Sequence, residues 1–459
     1  MKLNPCLMNL FLSLLFLIQT LTPMAMGDEL DQSSTGFEAL FQRALVQNHD
    51  LQMLQKKLNI SQADITIARY LPNPEISGYW GFGRMTSVLG NPSSVGITQA
   101  IEMGPKRKIR TLVAKAELDK EKTALQEAIW LLRSNLRLVY LEYLGTFCEL
   151  KQLEEQIALI ESFIVAVEGL VKQGKSPASD LMQAKLTRSD FHSERIERNS
   201  ELKKERLQIA ELLGELNPDA LPLNKINPDL LEQVPHWKNE FPLEQQRTLI
   251  HDLSEEGFKH RQELKLAIQT LEQSRLQLRA AKLKRIPDPE IGGGILLVRT
   301  TSPYTPNFEK ESFLGGYATL NLPLPIFNRQ QGEIAKAQAE IIVNEQRIQA
   351  TQFSIEIAIQ KVILAISTQQ QLLENYRNNL IPQSKEIVRL VDLAYRKNQA
   401  GLSDVILARQ AFQEIRHEYL EHLEEAWYAW ASLEQETGVP LELLIPKLPW
   451  EQGKAVSTF

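Results

Sequence analysis

Cysteine is nearly missing from this chain of 459 residues, which contains only Cys6 and Cys148. Cys6 falls inside the signal peptide predicted below, so Cys148 is expected to stay unpaired. An intrachain disulfide framework and a cysteine-based metal site are therefore both excluded. Cys6 also precedes the apolar run of that peptide, which is the wrong place for a lipid anchor at a cleavage site.

An excess of basic residues is missing as well. The 51 Lys and Arg are outnumbered by 57 Asp and Glu, so the formal net charge at pH 7 is −6. Proteins that bind nucleic acids usually carry a basic stripe that attracts the phosphates. No nucleic-acid partner is expected.

Long apolar runs are confined to the beginning of the chain. The run Leu10–Leu21 is shorter than the about 20 residues that a membrane-spanning helix needs. It follows Lys2 and precedes the small residues Ala25 and Gly27, which suit a cleavage site. We predict a cleaved signal peptide over residues 1–27, with an uncleaved membrane anchor as the alternative.

Catalytic and metal-binding patterns are also missing. Of the seven histidines, His417 and His422 lie close in sequence, but five residues separate them, so they do not share one face of a helix. No set of nucleophile, base and acid is visible. We predict no metal, no cofactor and no enzymatic activity.

A duplicated motif organises what is present. Leu71–Ile76 reads LPNPEI and Ile286–Ile291 reads IPDPEI. Each copy ends an amphipathic helical pattern at its prolines. A short alternating segment follows each copy, and a longer helical pattern follows that segment. We infer an internally duplicated chain.

The first repeat is predicted over residues 28–215. A helix over 37–69 precedes a β-hairpin over 75–102, whose turn is expected at Gly90–Ser94. A long helix then runs from Gly104 to about Gln173. Its heptad pattern predicts coiling on a partner helix. The return helix from Asp180 to Leu213 is highly charged and must expose one broad face.

The second repeat is predicted over residues 254–438, after a proline-rich connector over 216–253. Its helix ends near Lys284, its hairpin covers 291–324, and Asn328 can cap its long helix. Pro382 falls inside that helix and should kink it. A return helix ends near Gly438, and the C-terminal tail over 439–459 is expected to be loosely held.

These lengths predict one architecture. At about 1.5 Å per residue each long helix is about 100 Å, and two shorter helices beside it sum to nearly that length. The turns near Gly174 and Gly401 should therefore lie at one end and the strands at the other. Four strands cannot close a barrel alone, so other copies of the chain must complete it. The number of copies does not follow from the spacing.

The motif residues resemble those of the TolC-like outer-membrane efflux proteins, the outer membrane factor family. The resemblance is carried by the duplicated Pro-x-Pro-Glu, by the junctions at 99–107 (QAIEMGPKR) and 322–329 (LPLPIFNR), and by the Gly/Asn-to-Asp tips. It covers nearly the whole mature chain and is closest to the subfamily that serves heavy-metal and cation efflux.

The resemblance implies a fold that is mainly α with a membrane β part. A long antiparallel α-helical barrel stands in the periplasm, and four strands per chain contribute to the twelve-stranded outer-membrane β-barrel of a homotrimer. The implied function is a passive exit duct of a tripartite efflux system for heavy-metal cations or drugs. The implied partners are a periplasmic membrane-fusion adaptor, an inner-membrane RND-type pump and outer-membrane lipid. A soluble periplasmic coiled-coil scaffold or adaptor is the alternative.

Five tip residues lie where this family closes its periplasmic entrance: Gly174, Asp180, Asn398, Gly401 and Asp404. Asn398 stands where the first repeat has Gly174, and asparagine tolerates the left-handed backbone that glycine adopts. We expect Asp180 and Asp404 to form an acidic ring that favours cations. Simple helix capping by the two aspartates is the alternative, and Ser179 is a second candidate beside Asp180.

A second set lies at the barrel junction: Pro72, Pro74, Glu75, Gly104, Lys106, Arg107, Pro287, Pro289, Glu290, Asn328 and Arg329. The long helix begins with the cations Lys106, Arg107, Lys108 and Arg110, which the helix dipole disfavours. We expect compensation from anionic lipid headgroups or from Glu75 and Glu290, with a solvated charged face as the alternative. Trp80 and Phe82 are predicted on the lipid side of the first strand.

Overall fold

The chain divides into two similar halves that share one sheet. The computed structural model describes residues 36–80, 91–174, 176–221, 223, 228–235, 243–301, 310–397 and 399–444. The predicted signal peptide, Phe82, Asn398 and most of the predicted tail lie outside these residues.

The first half contains α1 (Phe37–Gln47), α2 (His49–Arg69), β1 (Glu75–Trp80), β2 (Asn91–Ala100), α3 (Lys106–Lys172) and α4 (Ala178–Leu213). The single helix predicted over 37–69 is wrong, because the chain breaks at Asn48. The Asn48 side chain caps α2 by accepting the backbone N–H of Leu51 at 2.9 Å, and it donates to the Leu212 carbonyl at 2.9 Å.

The second half contains α5 (Leu243–His260), α6 (Gln262–Leu283), β3 (Glu290–Thr301), β4 (Lys310–Asn321), α7 (Gln331–Asn375), α8 (Ile381–Arg396), α9 (Leu402–Thr437) and α10 (Leu441–Leu444). Helix α5 begins inside the predicted connector, where Pro218–Ala220 and Pro228–Gln233 form short 3-10 helices. The helix predicted over 254–284 is also broken, at Arg261.

The two helix breaks have the same backbone conformation and the same packing. Asn48 has φ −60° and ψ 123°, and Arg261 has φ −66° and ψ 122°. Each break packs against the left-handed glycine that ends a return helix: Gly214 at φ 74° faces Gln47 and Asn48, and Gly438 at φ 68° faces His260 and Arg261. Neither break carries proline or glycine, so the sequence gives no local sign of them.

The strands form one antiparallel sheet in the order β1-β2-β3-β4. Pairs such as Ile76 with Ile97 and Val95 with Ile295 put apolar side chains on one face. Pairs such as Ser77 with Gly96 and Thr98 with Gly292 put small and polar residues on the other. Trp80 pairs with Ser93 on the apolar face and is 60% exposed, and its position on the lipid side stays a prediction.

Two strand boundaries differ from the prediction. Asn91–Ser94 were expected in a turn but belong to β2, where they pair with β3. Strand β4 spans Lys310–Asn321 and ends before the predicted end of the hairpin at residue 324. The sheet partner β3 determines both extents, since ladder hydrogen bonds outweigh the local turn signals of these segments.

The heptad of α3 is confirmed as a buried seam. Leu136, Tyr143, Leu150, Ile157 and Ile164 are all at most 9% exposed. Toward the tips, Ile160 and Ile164 pack on Ala184 of α4. Helix α4 therefore supplies a partner for this seam.

Pro382 disturbs its helix in a particular way. The residues before it, Tyr376–Leu380, form a π-helical segment between α7 and α8, and Pro382 occupies the first turn of α8. Proline lacks an N–H and crowds the carbonyl four residues earlier. A wider π turn accommodates both defects without ending the helical path.

The beginning of the tail is not loosely held. Leu441 and Leu444 of α10 are 3% and 1% exposed, inside the main core. The prediction for 439–459 is thus wrong for these residues. Leucines of α1, α3 and α9 join them in the same core.

Candidate functional site

All four passages between sheet and helices lie at one end of the sheet, because adjacent strands run antiparallel. Residues at and just after the end of β2 form hydrogen bonds with both proline motifs. The Gln99 side chain donates to the Pro72 carbonyl at 2.8 Å, and the Ile101 backbone N–H donates to the Pro289 carbonyl at 2.9 Å. The duplicated breaks therefore meet on one strand.

The cations at the start of α3 find partners other than those expected. Lys106 Nζ lies 2.8 Å from Asp288 Oδ1 and also donates to the Ile286 carbonyl. Arg110 forms an ion pair with Glu102 and donates to the carbonyls of Ala68 and Tyr70.

Glu75 and Glu290 are not the compensating acids within the described part of one chain. Glu290 instead accepts a hydrogen bond from Asn321 at 3.2 Å. In the same described residues Arg107 and Lys108 are exposed and form no ion pair. The compensation is thus shared by Asp288 and Glu102, which the sequence analysis did not single out.

Asn328 does not cap the second long helix. Its Oδ1 accepts the backbone N–H of Gln330, whose φ of 59° marks a tight left-handed turn before α7 begins. The Arg329 carbonyl accepts from Arg285 Nε at 3.0 Å, which ties this turn to the end of α6. Gly104, at φ 75°, makes the corresponding turn before α3.

Both predicted tip acids occupy the third position of a return helix. Asp404 Oδ2 accepts the backbone N–H of Gly401, the residue that precedes α9, at 2.9 Å. Asp180 has no such backbone donor, because the residue before α4 is Pro177, which lacks an N–H. The Asp180 carboxylate instead accepts a hydrogen bond from the Ser176 hydroxyl at 2.7 Å. Ser179 and Asp180 therefore lie inside α4 and do not cap it from outside.

The two tips lie together at the end of the helices. Val167 of α3 packs with Leu402 and Ile406 of α9, and the Arg409 guanidinium lies 5.2 Å from the Phe163 ring centroid. Gly174 turns the chain there with φ 70°. The structure thus brings Asp180, Gly401 and Asp404 to one end and the junction residues to the other.

A buried ion network was missed by the sequence analysis. Arg133 Nε and Arg137 Nε lie 2.9 and 2.7 Å from the two carboxylate oxygens of Glu434, and Arg137 also pairs with Glu442 at 2.9 Å. The Arg137 guanidinium stacks on Phe37 at 4.2 Å. Two arginines four residues apart within an apolar heptad helix were the available signal.

Burial governs the electrostatics of this network. Burial raises the pKa of Glu434, and the neighbouring Arg137 and Arg133 only partly oppose that shift. For Glu442, burial also opposes ionisation, but Arg137, the helix backbone and Arg133 outweigh it and lower the pKa. The network joins α1, α3, α9 and α10.

No cluster of three or more His, Cys, Asp or Glu that could hold a metal ion occurs in the described ranges. The one described helix with a stretch apolar and long enough to cross a bilayer is Gln331–Tyr395, whose 18-residue window has a mean hydropathy of 1.2 and is 28% buried. Length and composition alone are weak support for a span.

Comparisons with known proteins agree with this geometry. Residues 40–215 match the model of the outer membrane efflux protein family. No curated protein sequence matches the chain.

Solved structures match nearly the whole fold. A membrane protein from Pseudomonas aeruginosa superposes with a TM-score of 0.71 at 15% identity, over 95% of this chain and 98% of that one. VceC, an outer membrane protein from Vibrio cholerae, gives 0.66 at 15%, over 88% and 96%. The outer membrane channel CmeC of Campylobacter jejuni gives 0.66 at 14%, over 92% and 93%.

At these identities the structural matches establish the fold alone, and the family match covers residues 40–215, less than half of the chain. Both agree with the predicted outer-membrane location of the sheet and periplasmic location of the helices. The chain therefore has the fold of the solved outer-membrane channels, and its residues 40–215 are similar to the outer membrane efflux protein family.

Proposed function

We propose that this chain is the outer-membrane channel of a tripartite efflux system, a passive exit duct for substrates that an inner-membrane pump drives. The observation that carries the proposal is the sheet. The face that carries Ile76, Ile97 and Ile295 is mainly apolar, the opposite face mixes small and polar residues with Leu296 and Val298, and β1 and β4 each pair on one side only within the described part of the chain. Such a sheet in lipid needs further strands to satisfy its edges.

Other copies of the chain are the proposed source of those strands, in a homotrimer with a twelve-stranded barrel. Exposed apolar side chains on the helices support the proposal that neighbouring copies of the chain bury them. Ile342, Phe353 and Leu364 of α7 are each more than 60% exposed, although a soluble helix normally buries its apolar stripe. Symmetric closure would bury them between copies.

The finer features of the system are inferred from the resemblance. We propose a periplasmic membrane-fusion adaptor and an inner-membrane RND-type pump as partners, outer-membrane lipid around the barrel, and heavy-metal cations or drugs as substrates. We propose no catalytic role for the channel itself. The pump selects the substrate of such a system, so the duct alone does not define it.

The test combines localisation, assembly and conductance. The full chain should fractionate with the outer membrane, migrate as a heat-modifiable trimer, and give discrete conductance steps in planar bilayers. A monomer in the soluble periplasmic fraction would reject the channel and favour a coiled-coil scaffold or adaptor.

Substrate class needs a separate experiment. Deleting the gene in its host and measuring growth on metal salts and on drugs should show sensitivity to one class. Restored growth upon complementation with the full chain is the required control. Unchanged growth on both classes would contradict a role in their efflux.

A further inference from the structure

A layer of carboxyl groups crosses the middle of the helices and lies outside the junction and the tips. Glu149 belongs to α3, Glu205 to α4 and Glu424 to α9, so the layer joins three helices. Neither the duplicated motif nor the efflux role accounts for it.

The Glu424 carboxyl packs directly on the backbone of α3. A methyl group added to Gly145 would overlap its oxygens, so this approach is possible only because residue 145 is glycine. The next residue, Thr146, donates its hydroxyl to Glu205 Oε1 at 2.7 Å. Helices α4 and α9 are thus both held to one turn of α3 through carboxyl groups.

Arginine pairs with only part of this layer. Arg198 lies 3.1 Å from Glu149, and the His417 imidazole contacts Glu149 at 3.2 Å and Glu421 at 3.3 Å. Glu205 Oε2 is buried without a hydrogen-bond partner among the described residues. The titratable and charged groups facing the layer are Glu142, Tyr143 and Glu149 of α3, Arg198, Glu201, Glu205 and Arg206 of α4, and His417, Glu421 and Tyr428 of α9.

We propose that this layer is a proton-dependent latch, which holds α9 against α3 and α4 at acidic pH and loosens as the pH rises. When Glu205 and Glu424 are neutral, their carboxyls pack and accept hydrogen bonds without repulsion. When both are ionised, they and Glu149 place three negative charges on facing helices, Arg198 pairs with Glu149 alone among the three, and partly buried like charges repel strongly. Helix α9 runs from the tip to the core, so its release would reach the periplasmic end.

The direction of the pH effect follows from the shifted pKa values. Burial is the main cause that raises the pKa of Glu424 to about 8 and that of Glu205 to about 7, from the ordinary 4.5. A carboxyl with a raised folded pKa binds more protons in the packed state than in the released state. Packing is therefore favoured below about pH 4.5 and weakens progressively as the pH rises through about 8.

Hydrogen exchange on the full chain in detergent micelles tests the latch without requiring conduction. Amides of residues 417–428 are compared near pH 6 and near pH 8.5, after correction for intrinsic exchange rates. Wild-type protection should fall about tenfold or more, the equivalent of a shift of about one pKa unit. Glu424→Gln keeps the shape without that charge, so its protection should fall by clearly less than that of the wild type, and the remaining fall comes from Glu205.

The matched control is Glu425→Gln, which removes the neighbouring carboxylate that accepts from Gln369 at 2.6 Å on another face of α9. It should behave as wild type. Gly145→Ala, which displaces the Glu424 carboxyl, should lower protection at both pH values. An equal fall in wild type and Glu424→Gln, or a flat wild type, would overturn the proposal.

A consequence for conduction rests on the proposed function. If the chain conducts, wild-type open probability in planar bilayers should rise between about pH 6 and pH 8.5, and it should rise less in Glu424→Gln. If hydrogen exchange shows the pH-dependent packing but the chain never conducts, the proposed channel function is rejected and the proposed latch is retained. Conduction with the same pH dependence in both proteins would reject the link between latch and opening.

Discussion

Lys106 and Asp288 join the two repeats at the barrel junction, with Nζ 2.8 Å from Oδ1. Asp288 is the variable residue of the second Pro-x-Pro-Glu motif, and its other contact is the Met103 backbone N–H at 2.7 Å. One carboxylate thus fixes both the approach to α3 and its first turn.

Two substitutions of Asp288 should remove its two contacts one after the other. Asp288→Asn keeps an acceptor for Met103 and loses the ion pair, which we expect to cost about 0.5 to 1 kcal/mol of unfolding free energy because the pair is partly exposed. Asp288→Ala loses both contacts and should cost about 2 kcal/mol. Denaturant unfolding in detergent measures both.

A double-mutant cycle separates this pair from the one first expected. Lys106→Met with Asp288→Asn should show a coupling of about 0.5 kcal/mol or more. Arg107→Met with Glu75→Gln should show no coupling. The reverse pattern would mean that the contacts of Asp288 do not persist in the assembled protein.

The buried network predicts a larger effect. Arg137→Met keeps much of the volume but leaves Glu434 with only Arg133, so we expect a loss of about 3 kcal/mol. Adding Glu434→Gln should recover part of this loss because the uncompensated charge disappears. The exposed pair Arg389 and Glu386 is the control, and Arg389→Met should leave the unfolding midpoint unchanged.

Alanine substitutions at two glycines can distinguish the cost of backbone strain from the cost of a steric clash. Gly174 has φ 70° and open space around it, so Gly174→Ala should cost about 1 kcal/mol. Gly214 has φ 74°, and an added methyl would lie 2.6 Å from the Gln47 carbonyl oxygen. Gly214→Ala should therefore cost about 3 kcal/mol. Equal midpoints for the two variants would show that the packing at the Asn48 break contributes nothing.

Substitutions can separate the effect of the charges of Asp180 and Asp404 from the effect of their hydrogen bonds. Asp180→Asn with Asp404→Asn removes the charges and keeps acceptors for Ser176 and Gly401. If the acids form a ring at the entrance, cation selectivity in planar bilayers should fall, and roughly twofold is expected. Unchanged conductance and selectivity, together with lower stability of the double Ala variant, would leave local helix stabilisation as their role.

Elements with strong local signals were predictable. Pro72 and Pro74 end α2 because their rings remove donors and restrict the preceding residue, and Gly438 ends α9 through its left-handed backbone. The seam of α3 follows from its seven-residue repeat. The resemblance supplied what the spacing did not, namely the expectation of three copies.

Contacts between distant segments were not predictable. The break at Asn48 depends on Leu212 and Gly214, which are more than 160 residues away in the chain. The strand ends at Asn91 and Asn321 depend on the register with β3. Helix propensity and turn composition vary little at these positions, so tertiary contacts decide them.

The sequence by itself determined the duplication, the long helices, the four strands and the turns at their ends, because each arises from periodicity or from the local stereochemistry of proline and glycine. Only the tertiary structure decided which charges meet. The partners of Lys106, Arg137 and Glu424 lie on other helices or in the other repeat. Coulomb energies and desolvation depend on distance and burial, which no linear pattern of charges specifies.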